Sequence, residues 1–202
     1  MTLLPPVLAS LAAVPAWIAV AHLLLLVAAL AVLATATGRQ RFAVPAIVVV
    51  AVGALALVFG FDARPVGLLA GILPLCVIVV AIVAGGPVTT LVLSAATRNA
   101  APAGEHGGIV VPTAGAAPTT SRAKPATREV LRGGTTIGYL ERAVIVAAVL
   151  IGRWELVAAL IAIKGLGRFR DLDASAATER FIIGTLVSML WAGVCAALIV
   201  FA

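Results

Sequence analysis

Five ionisable side chains, Glu141, Arg142, Lys164, Arg168 and Glu179, lie in or beside apolar runs that otherwise carry almost no charge. Charges placed this way suit three kinds of chemistry. They can tie helices together as buried ion pairs, or line a path for an ion, a proton or an anion. With Ser188 as nucleophile and Lys164 as base they can also form a Ser–Lys dyad. The tying role is favoured, because each charge falls near a predicted helix end. The dyad is the weakest of the three, since a serine in a membrane helix ordinarily packs or hydrogen-bonds. The sequence has no His-Glu-x-x-His pattern and no Gly-rich phosphate loop, so the expectation is no metal, no cofactor and no enzymatic activity.

The elements that hold these residues are membrane helices. Of the 202 residues, 63% are hydrophobic and 11% charged, and the mean hydropathy is +1.21. A soluble domain of this length has too little interior to hide so much apolar surface. Runs of about 20 apolar residues match the roughly 30 Å hydrocarbon core of a bilayer. The net charge of +6 is carried by residues scattered at segment ends. There is no basic stripe with interleaved aromatics, so no nucleic-acid partner is expected. Cys76 and Cys195 sit inside apolar runs and read as small inert hydrophobes.

The predicted fold is all-α and polytopic, with about six transmembrane helices arranged as three plus three around a flexible linker. Residues 1–97 form the first unit, 98–135 the basic linker and 136–202 the second unit. The expected helices are Pro15 to Thr37, Val44 to Phe61, one starting near Val66, Ile137 to Gly152, Trp154 to Gly167, and Glu179 to Phe201. His22, alone in the first helix, is expected to bond a backbone carbonyl or hydroxyl rather than to relay protons. Pro74 should kink the third helix. Gly85-Gly86-Pro87 should then break it, leaving Val88 to Ala96 as an interfacial, tilted or re-entrant tail. Gly67 and Gly71 form a GxxxG pair of small weight. The linker is rich in Ala, Gly, Pro, Ser and Thr, and its Ile109-Val110-Val111 run is too short to seed a core.

Lys and Arg fix the orientation. With the N-terminus outside, Arg39, Arg41, the basic linker, Lys164, Arg168, Arg170 and Arg180 all become cytoplasmic. Both termini are then outside. Glu141 and Lys164 lie at nearly equal offsets from the turn at Gly152-Arg153, so an antiparallel hairpin brings them to one depth. Lys164 and Arg168 share a helix face, and Glu141 and Glu179 are the carboxylates available to them. The expectation is a single charged cluster at the cytoplasmic edge, with Arg142 nearby. In the last helix Gly184, Ser188, Ala192 and Ala196 recur at every fourth position, a small-residue stripe suited to close packing.

Gly138-x-Leu140-Glu141-Arg142, then Ala162-x-Lys164-x-x-x-Arg168-Phe169, then Glu179-x-Phe181-Ile182-Ile183-Gly184-Thr185-x-x-Ser188, resembles the C-terminal portion of a family of uncharacterised bacterial integral membrane proteins. The resemblance covers roughly the last third of the chain. It implies a bacterial inner-membrane location and a shared three-helix unit, and it carries no activity. Gly165 stands where that family commonly has Ser.

The functional expectation is a non-catalytic membrane scaffold, partner or regulatory subunit. Its partners would be the lipid bilayer and another membrane protein, or a second copy meeting it at the small-residue stripe. A small transporter or channel using Glu141, Lys164, Arg168 and Glu179 is the alternative. An intramembrane enzyme is a more distant third.

Overall fold

A computed structural model describes residues 13–60, 64–96, 109–112, 127–130, 134–168 and 175–201. Its helices are α1 (Val14–Thr37), α2 (Val44–Val58, led in by a 3-10 turn at Gln40–Ala43), α3 (Leu69–Ala96), α4 (Gly134–Leu150), α5 (Trp154–Arg168) and α6 (Ser175–Phe201). α1 and α2 each carry proline at the first or second helical position, where the missing N–H has no intrahelical partner to lose. Gly38 ends α1 in the left-handed region at φ 67°, a conformation that a side chain would resist.

α3 is the centre of the bundle. It packs against α1 on one side and α6 on another, and α4 lies against both α3 and α6. α2 rests on the outside, and α5 leans chiefly on α4. The core is built from small residues where helices approach closely: Ala31, Ala43, Ala46, Ala81, Ala84, Ala192 and Ala196 are all fully buried. Larger apolar residues, among them Leu25, Leu26, Val52, Val58 and Leu190, point outward. An apolar exterior around a small-residue interior is the pattern of helices packed in lipid.

Four segments are long and apolar enough to cross a bilayer: Val14–Thr37, Gln40–Val58, Leu69–Ala96 and Thr178–Phe201. α4 has 17 residues and α5 has 15, so at 1.5 Å per residue they measure about 25 and 22 Å, short of a 30 Å core. Of the six helices expected to be transmembrane, four have spanning length. α4 and α5 join through Gly152, at φ 68°. The Arg153 amide there donates to the Ala148 carbonyl at 2.8 Å, one of the backbone bonds that close a helix C-terminus.

The expected break at Gly85-Gly86-Pro87 does not occur. α3 runs unbroken through Pro74 and Pro87 for 28 residues, about 42 Å, and Val88 to Ala96 is its continuation rather than a separate tail. Glycine and proline weaken a helix by about 1 and 3 kcal/mol. Unwinding it among apolar neighbours would strand several backbone donors and acceptors at a larger cost. Two threonine hydroxyls bond back to the helix within this segment. The Thr89 hydroxyl donates to the Gly85 carbonyl at 2.7 Å and the Thr90 hydroxyl to the Gly86 carbonyl at 2.9 Å.

The region assigned to the linker contains a two-stranded antiparallel ribbon, β1 (Ile109–Pro112) and β2 (Thr127–Val130), with Ile109 opposite Val130. Its β-branched run, too short for a core, is long enough to pair. The flexibility assigned to the rest of the linker concerns residues outside the described set.

Candidate functional site: the polar core of the bundle

Arg142 is at the middle of three helices. It has eight residues of α4 on either side of it. Its Nε donates to the Ile82 carbonyl at 2.8 Å, and Ile82 has 13 residues of α3 before it and 14 after. Its Nη1 donates to the Ser188 hydroxyl at 3.2 Å, and Ser188 has 13 residues of α6 on either side. The guanidinium also lies 5.3 Å from the centre of the Tyr139 ring, within cation–π range. Only 3% of Arg142 is exposed.

Gly85 and Gly86 explain how so large a side chain fits. A Cβ on Gly85 would stand 2.3 Å from Arg142 Cδ, 2.6 Å from its Nε and 3.0 Å from Trp191 Cδ1. Without that Cβ, the Arg142 stem lies directly on the α3 backbone. The carbonyls one turn earlier then become reachable by outside donors. Arg142 takes that of Ile82, and Trp191 Nε1 takes that of Ala81 at 3.2 Å. A carbonyl has two lone pairs, so each can accept a side chain as well as its helical N–H. Gly138, one turn before Arg142, gives the same clearance on α4, where a Cβ would lie 3.1 Å from Arg142 Nη1.

Glu141 faces a different direction. Adjacent residues on a helix do not share a face, so Glu141 turns toward α5 while Arg142 turns toward α3 and α6. The Lys164 ammonium donates to Glu141 Oε2 at 2.5 Å. Glu141 is 7% exposed, and Lys164 Nζ also lies 5.8 Å from the Phe181 ring centre. The predicted pairing of Glu141 with Lys164 is present. Glu141 stands seven residues into α4 and Lys164 four residues before the end of α5.

The structure divides the predicted cluster. Glu141 and Lys164 form one pair, and Arg142 forms a separate junction with Ile82 and Ser188. Glu179 is exposed on α6, and among the described residues no ion pair joins it to Lys164. The side chain of Arg168 lies outside the described set. Among the described residues, no carboxylate forms an ion pair with Arg142.

The small-residue stripe is buried within the chain, with its Gly184 against α3 and its Ser188 on Arg142 of α4. A Cβ on Gly184 would meet Leu93 Cδ1 at 3.4 Å and Thr89 Cγ2 at 3.6 Å, and Ser188, Ala192 and Ala196 are buried. Gly67 and Gly71 have open space where a Cβ would go, so the GxxxG pair makes no close contact among the described residues. His22 Nδ1 lies 2.7 Å from the Ile18 carbonyl of its own helix, the backbone bond expected of it. Cys76 and Cys195 are buried free thiols.

The sequence placed Arg142 beside the charged cluster and Gly138 only within a motif, and Trp191 was passed over. One signal was available: Gly138 and Arg142 are spaced i,i+4 beside a Gly-Gly pair elsewhere in an apolar run. Glycine on two helices marks a place where something bulky approaches backbone. No family model, curated protein or solved structure matches this chain.

Proposed function

We propose that this chain is a non-catalytic subunit or scaffold of a bacterial plasma membrane, and that its intramembrane polar residues serve to hold α3, α4, α5 and α6 in register. One observation carries this reading: among the described residues every buried polar side-chain atom has a hydrogen-bond partner. Charges that serve to hold helices together need partners of this kind. Here Arg142 is spent on a backbone carbonyl and a serine, and Glu141 on Lys164.

In this proposal the α4–α5 hairpin enters from the cytoplasmic face and returns to it, whether or not its tip reaches the far interface. Either way α6 then crosses in the same direction. Both termini lie outside, and residues 98–135 face the cytoplasm with the Lys and Arg excess. The motif resemblance of the last third supports a shared three-helix unit among bacterial membrane proteins. Partner recognition falls to the outward apolar faces, because the α6 stripe is buried within the chain.

Reconstitution in liposomes tests the proposal. Purified protein should give ion and proton flux no greater than empty vesicles, and Glu141→Gln should leave that background unchanged. A flux that Glu141→Gln abolishes would overturn it.

A further inference from the structure

Arg142 gives the α4–α5 hairpin a depth. Its two hydrogen-bond partners, Ile82 and Ser188, stand close to the middle of the span-length segments Leu69–Ala96 and Thr178–Phe201. Gly152, at the turn, follows Arg142 by ten residues, about 15 Å along α4. That is half of a roughly 30 Å hydrocarbon core. Lys164 gives the hairpin a direction. Its ammonium lies 5.8 Å from the centre of the Phe181 ring, in the first half of α6. α5 therefore closes toward the start of α6, and the turn points toward its Phe201 end. At the turn, Trp154 is 65% exposed, and Arg153 and Glu155 on either side of it are exposed as well.

We infer that the α4–α5 hairpin crosses the bilayer in full, and that Arg153, Trp154 and Glu155 anchor its turn in the headgroup layer of the face opposite residues 98–135. The inference rests on the reading above of a bundle that spans a bilayer. Tryptophan favours the boundary between hydrocarbon and water, where its ring is in lipid and its N–H is wet. Arg153 can extend its charge past an apolar stem into the headgroups, which makes up for the shortness of the two helices. A turn that stopped inside the hydrocarbon would leave Arg153 and Glu155 in lipid, at a cost that the crossing avoids. Ile151 before the anchor and Leu156 after it, both exposed, stand on its hydrocarbon side.

Thiol labelling in sealed vesicles tests the inference, in the full chain with Cys76 and Cys195 replaced by Ala. Arg153→Cys should react with a membrane-impermeant maleimide from one face. Arg39→Cys, between α1 and α2, should react from the other face only. Glu155→Cys should repeat the result if Arg153→Cys folds poorly. Lipids brominated near the glycerol end of the acyl chain should quench more fluorescence in the wild type than in Trp154→Phe. Lipids brominated near the chain terminus should quench the two alike. Labelling of positions 153 and 155 from neither face, or from the face that labels position 39, would overturn the inference. Trp154 fluorescence quenched chiefly by the deep bromine would overturn it too. Positions 39 and 153 labelled from exchanged faces would uphold the crossing and overturn the orientation given above. None of these outcomes bears on the flux result, so this inference and the scaffold reading fail separately.

Discussion

Arg142 donates to Ser188 at 3.2 Å, and each residue is the midpoint of its helix. A guanidinium that far from either helix end is held by hydrogen bonds rather than by a described carboxylate. It spends one donor on α3 and one on α6, so it fixes the axial offset of three helices at once. The first prediction concerns the space that admits it. Gly85→Ala places a methyl group 2.3 Å from Arg142 Cδ, and overpacking of this kind costs about 1–3 kcal/mol. Gly86→Ala, whose Cβ would stand 3.8 Å from Arg142 Nη2, should be tolerated. Thermal unfolding in detergent separates the two variants.

Arg142 itself should respond to charge more than to size. Arg142→Lys keeps a buried cation and loses the fork that reaches both Ile82 and Ser188. Arg142→Met removes the charge, and the Ile82 carbonyl keeps its helical N–H. Replacing a buried ionic group with an apolar one of similar volume is often neutral, so the Met variant should be the more stable. A Lys variant at least as stable as the Met variant would contradict this account of the junction.

The Glu141–Lys164 pair should behave as a unit. Glu141→Gln and Lys164→Met each leave a charge without its partner inside the bundle, at a cost of about 3 kcal/mol. The double variant should recover part of that loss, with a coupling of about 1–3 kcal/mol in a double-mutant cycle. Yield of folded protein after detergent extraction is the readout. Equal yields for the wild type and all three variants would count against the pair.

The fold class was legible in the composition, because apolar runs of spanning length admit few alternatives. The Glu141–Lys164 contact was legible as well, since hairpin geometry ties equal offsets to equal depth. Three things were not. Gly85-Gly86-Pro87 carries the local signal of a break, and α3 continues because its surroundings make broken backbone costlier than strained helix. Arg142 was grouped with Glu141 by adjacency, although neighbouring helix positions point apart. The start of α4 was the third, since the helix begins at Gly134, three residues before the predicted Ile137.

The small-residue stripe should tolerate only small additions. Gly184→Ala would bring a methyl into ordinary contact with Leu93 and Thr89 and should be close to neutral. Gly184→Leu should separate α3 from α6 and destabilise the bundle by about 1–3 kcal/mol. Unfolding temperatures of the two variants measure the difference. A stable Gly184→Leu variant would show that the stripe does not hold that contact.

Buried and fully partnered among the described residues, Arg142 and Ser188 should form a closed junction that water does not reach. Thiol labelling of Ser188→Cys tests this most directly, in a chain whose Cys76 and Cys195 are replaced by Ala. Ser188 is 7% exposed and bonded to Arg142. The account predicts that membrane-impermeant thiol reagents added from either side leave position 188 unmodified, while full unfolding exposes it. Modification in the folded protein in a bilayer would show that water reaches the junction, and would contradict the claim.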